Sequence, residues 1–195
     1  MNISISFLMN LIIFVVTCFL VFQFFREDGQ WNLGRARRAF RYYTTQSNVL
    51  CAISALCMCF FPDELWAYYL KIIGTAAVTV TMLTVIFFLS HLYGFKVLFE
   101  GSDLFMHLLT PLMALFSLIL FERRGISLGA AFMGMIPVAL YAPLYLYKIV
   151  YAPEKKRWED FYGFNQKGMW RISYVLMLLG TALICVGLYF GLNLM

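Results

Sequence analysis

The stretch Ile3–Phe25, ISISFLMNLIIFVVTCFLVFQFF, decides the fold, because its 23 residues contain no charged side chain. Crossing the hydrocarbon core of a bilayer takes about 20 mostly apolar residues in a helix that rises about 1.5 Å per residue. No lysine or arginine precedes Arg26, and the apolar run is longer than the core of a secretory signal peptide. The stretch therefore predicts a retained first transmembrane helix.

Five further apolar stretches follow, and 63% of the residues are hydrophobic whereas only 13% are charged. Soluble domains carry about 25% charged residues. The sequence predicts an all-α polytopic membrane protein, with one transmembrane domain over residues 1–195. Its helices are predicted at about residues 3–25, 42–61, 70–90, 104–121, 126–148 and 171–193. Pro137 and Pro143 predict a kink in the fifth of them.

The basic residues predict an orientation in the membrane. Of the 15 lysines and arginines, 12 fall in or beside the first, third and fifth loops, whereas Lys71, Arg123 and Arg124 fall on the opposite side. Cytoplasmic loops carry an excess of Lys and Arg, so the odd-numbered loops are expected in the cytoplasm and both termini outside. Because these charges lie in short loops between spans, the net charge of +5 does not predict nucleic-acid binding.

A run of polar residues opens the second predicted helix. Thr44, Ser47 and Asn48 are spaced i, i+3 and i+4, so they share one face, whereas Thr45 points elsewhere. Such residues commonly form hydrogen bonds between membrane helices. Five consecutive polar residues also leave a chemical role open.

His107 is the second candidate and lies near the start of the fourth predicted helix, four residues after Asp103. Thr44 and His107 both follow a cytoplasmic boundary, and each is expected about 5–6 Å inside it. A neutral imidazole that reaches a threonine hydroxyl can take its proton and activate the oxygen as a nucleophile. Asp103 either orients the imidazole or is a solvated residue at the interface.

Two segments resemble the androgen-induced gene family, which includes the androgen-dependent TFPI-regulating protein and many bacterial relatives. The first segment is Arg41–Asn48, RYYTTQSN, and the second is Leu104–Pro111, LFMHLLTP, in which a proline follows the histidine. Chain length and helix number fit the family as well.

The resemblance implies a multispanning hydrolase of fatty acyl esters, such as fatty acid esters of hydroxy fatty acids. It assigns the nucleophile to Thr44, with Thr45 as the alternative, and the base to His107. Asn48 and Ser47 are candidate oxyanion donors by helical face. The implied partners are the bilayer and a lipid substrate, with no cofactor, and the bacterial-type resemblance implies the inner membrane. No protein partner can be inferred.

Two alternatives remain open. His91 and His107 can serve as axial ligands of one b-type haem, because they lie on consecutive predicted helices. A non-enzymatic lipid-binding scaffold is the other. Two histidines are too few for a hydrolytic metal site, so no metal is expected. Coupled ion transport is disfavoured, because no charge is expected at membrane depth and no repeat is visible.

Overall fold

The computed structural model describes residues 4–194 and shows a helical bundle whose only β structure in this range is a two-stranded hairpin, Arg26–Glu27 with Gln30–Trp31. Ile3, the predicted start of the first helix, lies outside the described residues. The helices, two of them short, are α1 (Ile5–Gln23), α2 (Leu33–Ala39), α3 (Tyr43–Phe60), α4 (Leu65–Tyr93), α5 (Phe95–Leu98), α6 (Ser102–Phe121), α7 (Leu128–Tyr151) and α8 (Trp170–Asn193).

Five of these helices, α1, α4, α6, α7 and α8, are long and apolar enough to cross a membrane. The remaining long helix, α3, has 18 residues and packs against both α1 and α4. It is less apolar because its first two turns contain the polar run that follows Tyr43. The prediction of an all-α polytopic membrane protein is therefore confirmed.

The loops after α1, α4 and α7 meet at one end of the bundle. There the Tyr141 hydroxyl donates to the carbonyl of Arg41 at 2.7 Å, and the Tyr93 hydroxyl donates to the carbonyl of Phe161 at 3.2 Å. We call this the Arg41 end. At the other end, the Arg124 end, the amide of Ile126 donates to Asn193 Oδ1 at 3.2 Å. Successive connections thus alternate between the two ends.

Helix α4 begins at Leu65, earlier than the predicted start at residue 70. Lys71 is therefore in the second turn of the helix, and its side chain is 0% exposed. The predicted helix 70–90 includes Lys71, but the prediction that its charge belongs with the loop charges is wrong, and so is the prediction that no charge lies at membrane depth. The apolar residues Leu65 and Trp66 extend the helix back to its N-cap, Glu64. The extent of an apolar run does not by itself show at which residue such a helix begins.

Helix α6 departs from α geometry around His107. Its segment Phe105–Leu109 forms a π turn, in which the amide of Thr110 donates to the carbonyl of Phe105. Pro111 has no N–H, so it cannot donate to the carbonyl of His107 four residues earlier, and its ring crowds that carbonyl. The proline thus accounts for a wider turn that includes the candidate base.

Helix α7 is also irregular. A 3₁₀ turn at Met133–Met135 comes directly before Ile136, and Pro137 lies in the first turn of the α-helical segment Ile136–Leu146. A proline is tolerated in a first turn because the amide there has no intrahelical acceptor. Helix α7 therefore departs from α geometry twice, at this 3₁₀ turn before Pro137 and in a π segment at Tyr147–Tyr151, which follows Pro143 by four residues.

Candidate functional site

A cleft of about 600 Å³ lies between α4, α7 and α8. Its volume falls within the range of about 300–1,000 Å³ that is usual for small-ligand sites. Phe87 and Phe88 of α4 and Leu183 of α8 line it and are 64%, 59% and 72% exposed. Because these exposed side chains are apolar and belong to helices long and apolar enough to cross a membrane, the cleft opens sideways toward lipid.

The walls of the cleft are apolar even where they carry hydroxyl groups. Thr79 donates to the carbonyl of Thr75 at 2.7 Å, and Thr181 donates to the carbonyl of Met177 at 2.8 Å. A threonine that bonds to its own helix leaves its methyl group for packing. Along α8 the lining extends from Ser173 to Leu188, which is about 22 Å at a rise of about 1.5 Å per residue.

Tyrosines form the Arg41 end of the cleft. The Tyr162 hydroxyl accepts a hydrogen bond from the amide of Tyr43 at 2.8 Å and so caps the first turn of α3. The loop that contains Tyr162 is held by Asp160, which accepts from the Tyr145 hydroxyl at 2.8 Å and from the amide of Asn165 at 2.7 Å. A buried aromatic network therefore positions this polar end.

Burial raises the pKa of Tyr162 to about 12, although donors beside its oxygen, first the Thr44 hydroxyl and then the amides of Thr44 and Tyr43, oppose the rise. The phenol consequently stays neutral at physiological pH. It can donate or accept a hydrogen bond, but it does not provide a negatively charged base beside Thr44.

Thr44 lies in the wall of the cleft next to Tyr162. Thr45, the alternative nucleophile, is 3% exposed and is not part of the described lining. Since the two residues are adjacent on a helix, their side chains diverge by about 100°. Of the two threonines, Thr44 is therefore the one that a molecule in the cleft can contact.

Ser47 and Asn48 connect helices. The Asn48 side-chain amide donates to the carbonyl of Thr44 at 2.9 Å and to that of Met106 at 3.0 Å. Ser47 donates to the carbonyl of Thr44 at 3.0 Å and pairs with the Thr81 hydroxyl at 2.8 Å. In this arrangement neither side chain has a free N–H or O–H group, so neither presents a donor to a ligand.

His107 follows Met106 directly, so the Asn48 bridge joins the turn of Thr44 to the turn of His107. The imidazole is 8% exposed, and its Nδ1 donates to the carbonyl of Leu98 at 2.7 Å. A carbonyl can only accept, so Nδ1 carries a proton, and in the neutral imidazole Nε2 then carries the lone pair that a base needs. His107 is not among the described residues that line the cleft.

The remaining predicted residues lie near the Arg41 end. Asp103 is half-buried one turn before His107 and interacts with it electrostatically. His91 is exposed, and its Nδ1 is 3.4 Å from the Ser90 hydroxyl. The haem hypothesis thus involves one exposed and one buried histidine, and an absorption spectrum would test it.

Sequence reasoning missed a buried ionic cluster near the Arg124 end. Lys71 Nζ lies 3.9 Å from Glu122 Oε2 and donates to Asn10 Oδ1. Glu122 Oε1 accepts from Ser6 at 2.6 Å, from Ser117 at 2.8 Å and from the Asn10 amide. The signal in the sequence was an asparagine inside the first apolar span together with one acid and one base at span edges.

No family model, curated protein or solved structure matches the chain. Within residues 4–194, no three His, Cys, Asp or Glu side chains converge in a way that could hold a metal ion. The cleft and the residues at its polar end are therefore the features of the described chain that bear on its function.

Proposed function

We propose that the protein is an intramembrane hydrolase of long-chain acyl esters, with Thr44 as the nucleophile and His107 as the general base. The observation that carries the proposal is the position of Thr44, at the polar end of an apolar cleft that opens toward lipid. An ester oxygen is placed at this end when the attached hydrocarbon chain lies against α8. The hydrolase resemblance of the two sequence segments supports the same roles.

In the proposed reaction, His107 Nε2 takes the proton of the Thr44 hydroxyl as the oxygen attacks the ester carbonyl. The tetrahedral intermediate collapses to an acyl-threonine, and the leaving alcohol takes the proton back from the imidazole. Water, deprotonated by the same nitrogen, then releases the fatty acid and regenerates Thr44. The N-terminal turn of α3, where Thr44 lies, carries a partial positive charge that favours the oxyanion.

His107 is outside the described cleft lining. In the proposed reaction the proton of the Thr44 hydroxyl therefore reaches His107 Nε2 through a bridging water or after a rotation of the π turn. A general base can act through one water molecule. The Leu98 carbonyl supports the role because it holds the imidazole in the tautomer with Nε2 unprotonated. π turns within helices are frequent at functional sites, and the described chain has three more, at Val85–Leu89, Ser117–Phe121 and Tyr147–Tyr151.

We further propose that the protein lies in a bacterial cytoplasmic membrane with both termini outside. The Arg41 end contains the loops that carry most of the basic residues, as the positive-inside rule requires of the cytoplasmic side. Thr44 would then act near the inner headgroups, at the same depth as the ester bond that joins a lipid headgroup to its acyl chain.

The test compares Thr44→Ala with Thr45→Ala as the matched control, using the full-length protein and umbelliferyl palmitate. Thr44→Ala should lower kcat by about a thousandfold or more, because loss of a nucleophile removes the covalent route. Thr45→Ala should keep activity within a few-fold. A fluorophosphonate probe should label the wild type and not Thr44→Ala. Full activity in a correctly folded Thr44→Ala protein would exclude the mechanism.

A non-enzymatic lipid-binding role is the second candidate. It is favoured by the cleft itself, whose described lining includes no imidazole and no carboxylate. The same preparation separates the two functions. Tight fatty-acid binding together with no ester turnover and no probe labelling would favour the binding role.

A further inference from the structure

The cleft is asymmetric along its length. Near the Arg41 end it is lined by Thr44 and the tyrosines, whereas toward the Arg124 end it is lined by Leu115, Ile119 and Leu188. An occupant that matches both ends has one oxygen-bearing terminus and one hydrocarbon terminus. The described lining contains no charged side chain that would hold a second polar group.

Tyr43 supplies an independent sign of a ligand. Its side chain lines the cleft and is 8% exposed, and its hydroxyl has no hydrogen-bond partner. The other orphaned buried atoms of the described chain belong to residues outside the lining. A buried hydroxyl without a partner is costly, and an acceptor oxygen on a bound molecule would satisfy it.

Two glycines of α8 leave the far part of the cleft open. Gly180 and Gly187 both line it, and a Cβ atom built on either would meet no other atom within 4 Å. They are seven residues apart, so they lie almost on the same face, about 10 Å apart along the axis. A larger side chain at either position would enter the space without striking the backbone of a neighbouring helix.

We propose that the cleft holds one unbranched acyl chain, whose terminal carbonyl or carboxyl oxygen accepts a hydrogen bond from Tyr43, and that Gly180 and Gly187 set the length of chain it accepts. The inference rests on the lipid site of the proposed function and names its substrate class. With C–C bonds of about 1.5 Å that advance about 1.25 Å along a staggered chain, about 22 Å accommodates about 16–18 carbons.

Native mass spectrometry of the full-length protein in detergent micelles tests the proposal with octanoate, laurate, palmitate and arachidate. Each buried methylene contributes about fourfold to affinity. Gly187→Leu, which fills the space of about three methylenes, should weaken palmitate binding about tenfold or more and leave octanoate unchanged. Gly180→Leu should shorten still further the longest acyl chain that binds with wild-type affinity. Val175→Leu, on the exposed and non-lining side of α8, is the matched control.

Tyr43→Phe should give a different signature, because it removes one hydrogen bond and no chain contact. Affinity should fall about five- to tenfold for every chain length, whereas Tyr189→Phe, outside the described lining, should change nothing. Identical length profiles for Gly187→Leu and Val175→Leu would overturn the chain-length assignment. Unchanged affinity in Tyr43→Phe would overturn the anchoring role. Thr44→Ala should bind the four fatty acids with the wild-type dependence of affinity on chain length. This binding measurement therefore does not depend on whether the protein hydrolyses esters.

Discussion

At the residue scale, the ionic cluster of Lys71 and Glu122 sets the strictest constraint on the bundle. Glu122 Oε1 accepts three hydrogen bonds, whereas Oε2 is buried with no hydrogen-bond partner and only Lys71 nearby. Removing one partner of a buried pair leaves the other charge uncompensated, which costs about 3–5 kcal/mol. The cluster joins α1, α4 and the end of α6, so its loss should loosen the attachment of α1.

A double-mutant cycle measures this effect. Lys71→Met and Glu122→Leu should each lower the free energy of unfolding by about 3 kcal/mol, whereas the double variant should recover most of the loss. The measurement is unfolding in mixed micelles with increasing SDS, followed by helical circular dichroism. Additive losses in the double variant would show that the two charges do not stabilise each other.

The Lys71 error shows what sequence can supply at this scale. Thr44 and His107 are candidates because polar residues inside apolar runs are conspicuous. The burial of Lys71 could not be predicted in this way, because the residue lies at the edge of its apolar run, where a lysine is also typical of a loop. Its partners come from residues 61 and 51 positions away in the chain, and no local pattern encodes such a contact.

At the element scale, the existence of the helices could be predicted from apolar run length, but their internal geometry could not. The π turn of α6 depends on how Pro111 meets its neighbours, and a proline in a sequence indicates irregularity without specifying its form. The cleft could not be predicted from the sequence either, because it depends on how three helices are placed relative to one another.

Pro111→Ala tests whether the π turn serves the proposed chemistry. Alanine restores a donor for the carbonyl of His107 and should let Phe105–Leu109 relax to α geometry, which turns the imidazole away from its present direction. We expect thermal stability to be unchanged or raised, because proline is unfavourable inside helices by about 3 kcal/mol, and esterase kcat to fall about tenfold or more. Pro137→Ala in α7 is the control. Equal kcat in both variants would separate the π turn from catalysis.

At the scale of the whole molecule, the structure sharpens the orientation argument. The odd-numbered loops share the Arg41 end, and Lys71 no longer counts as a loop charge at the opposite end. Arg123 and Arg124 then remain as the basic residues assigned to that side, so the asymmetry that drives the positive-inside rule becomes larger. The proposed position of Thr44 in the inner leaflet rests on this asymmetry.

Cysteine accessibility in intact bacterial cells checks the orientation. In a variant with its five native cysteines replaced, Arg123→Cys should react with a membrane-impermeant maleimide before lysis, and Lys155→Cys only after it. Both sites lie outside the spanning helices, so their side chains are available to the reagent. The reverse pattern would place Thr44 near the outer headgroups. The ester bond would then be cleaved in the outer leaflet, and the fatty acid would be released on the other side of the membrane.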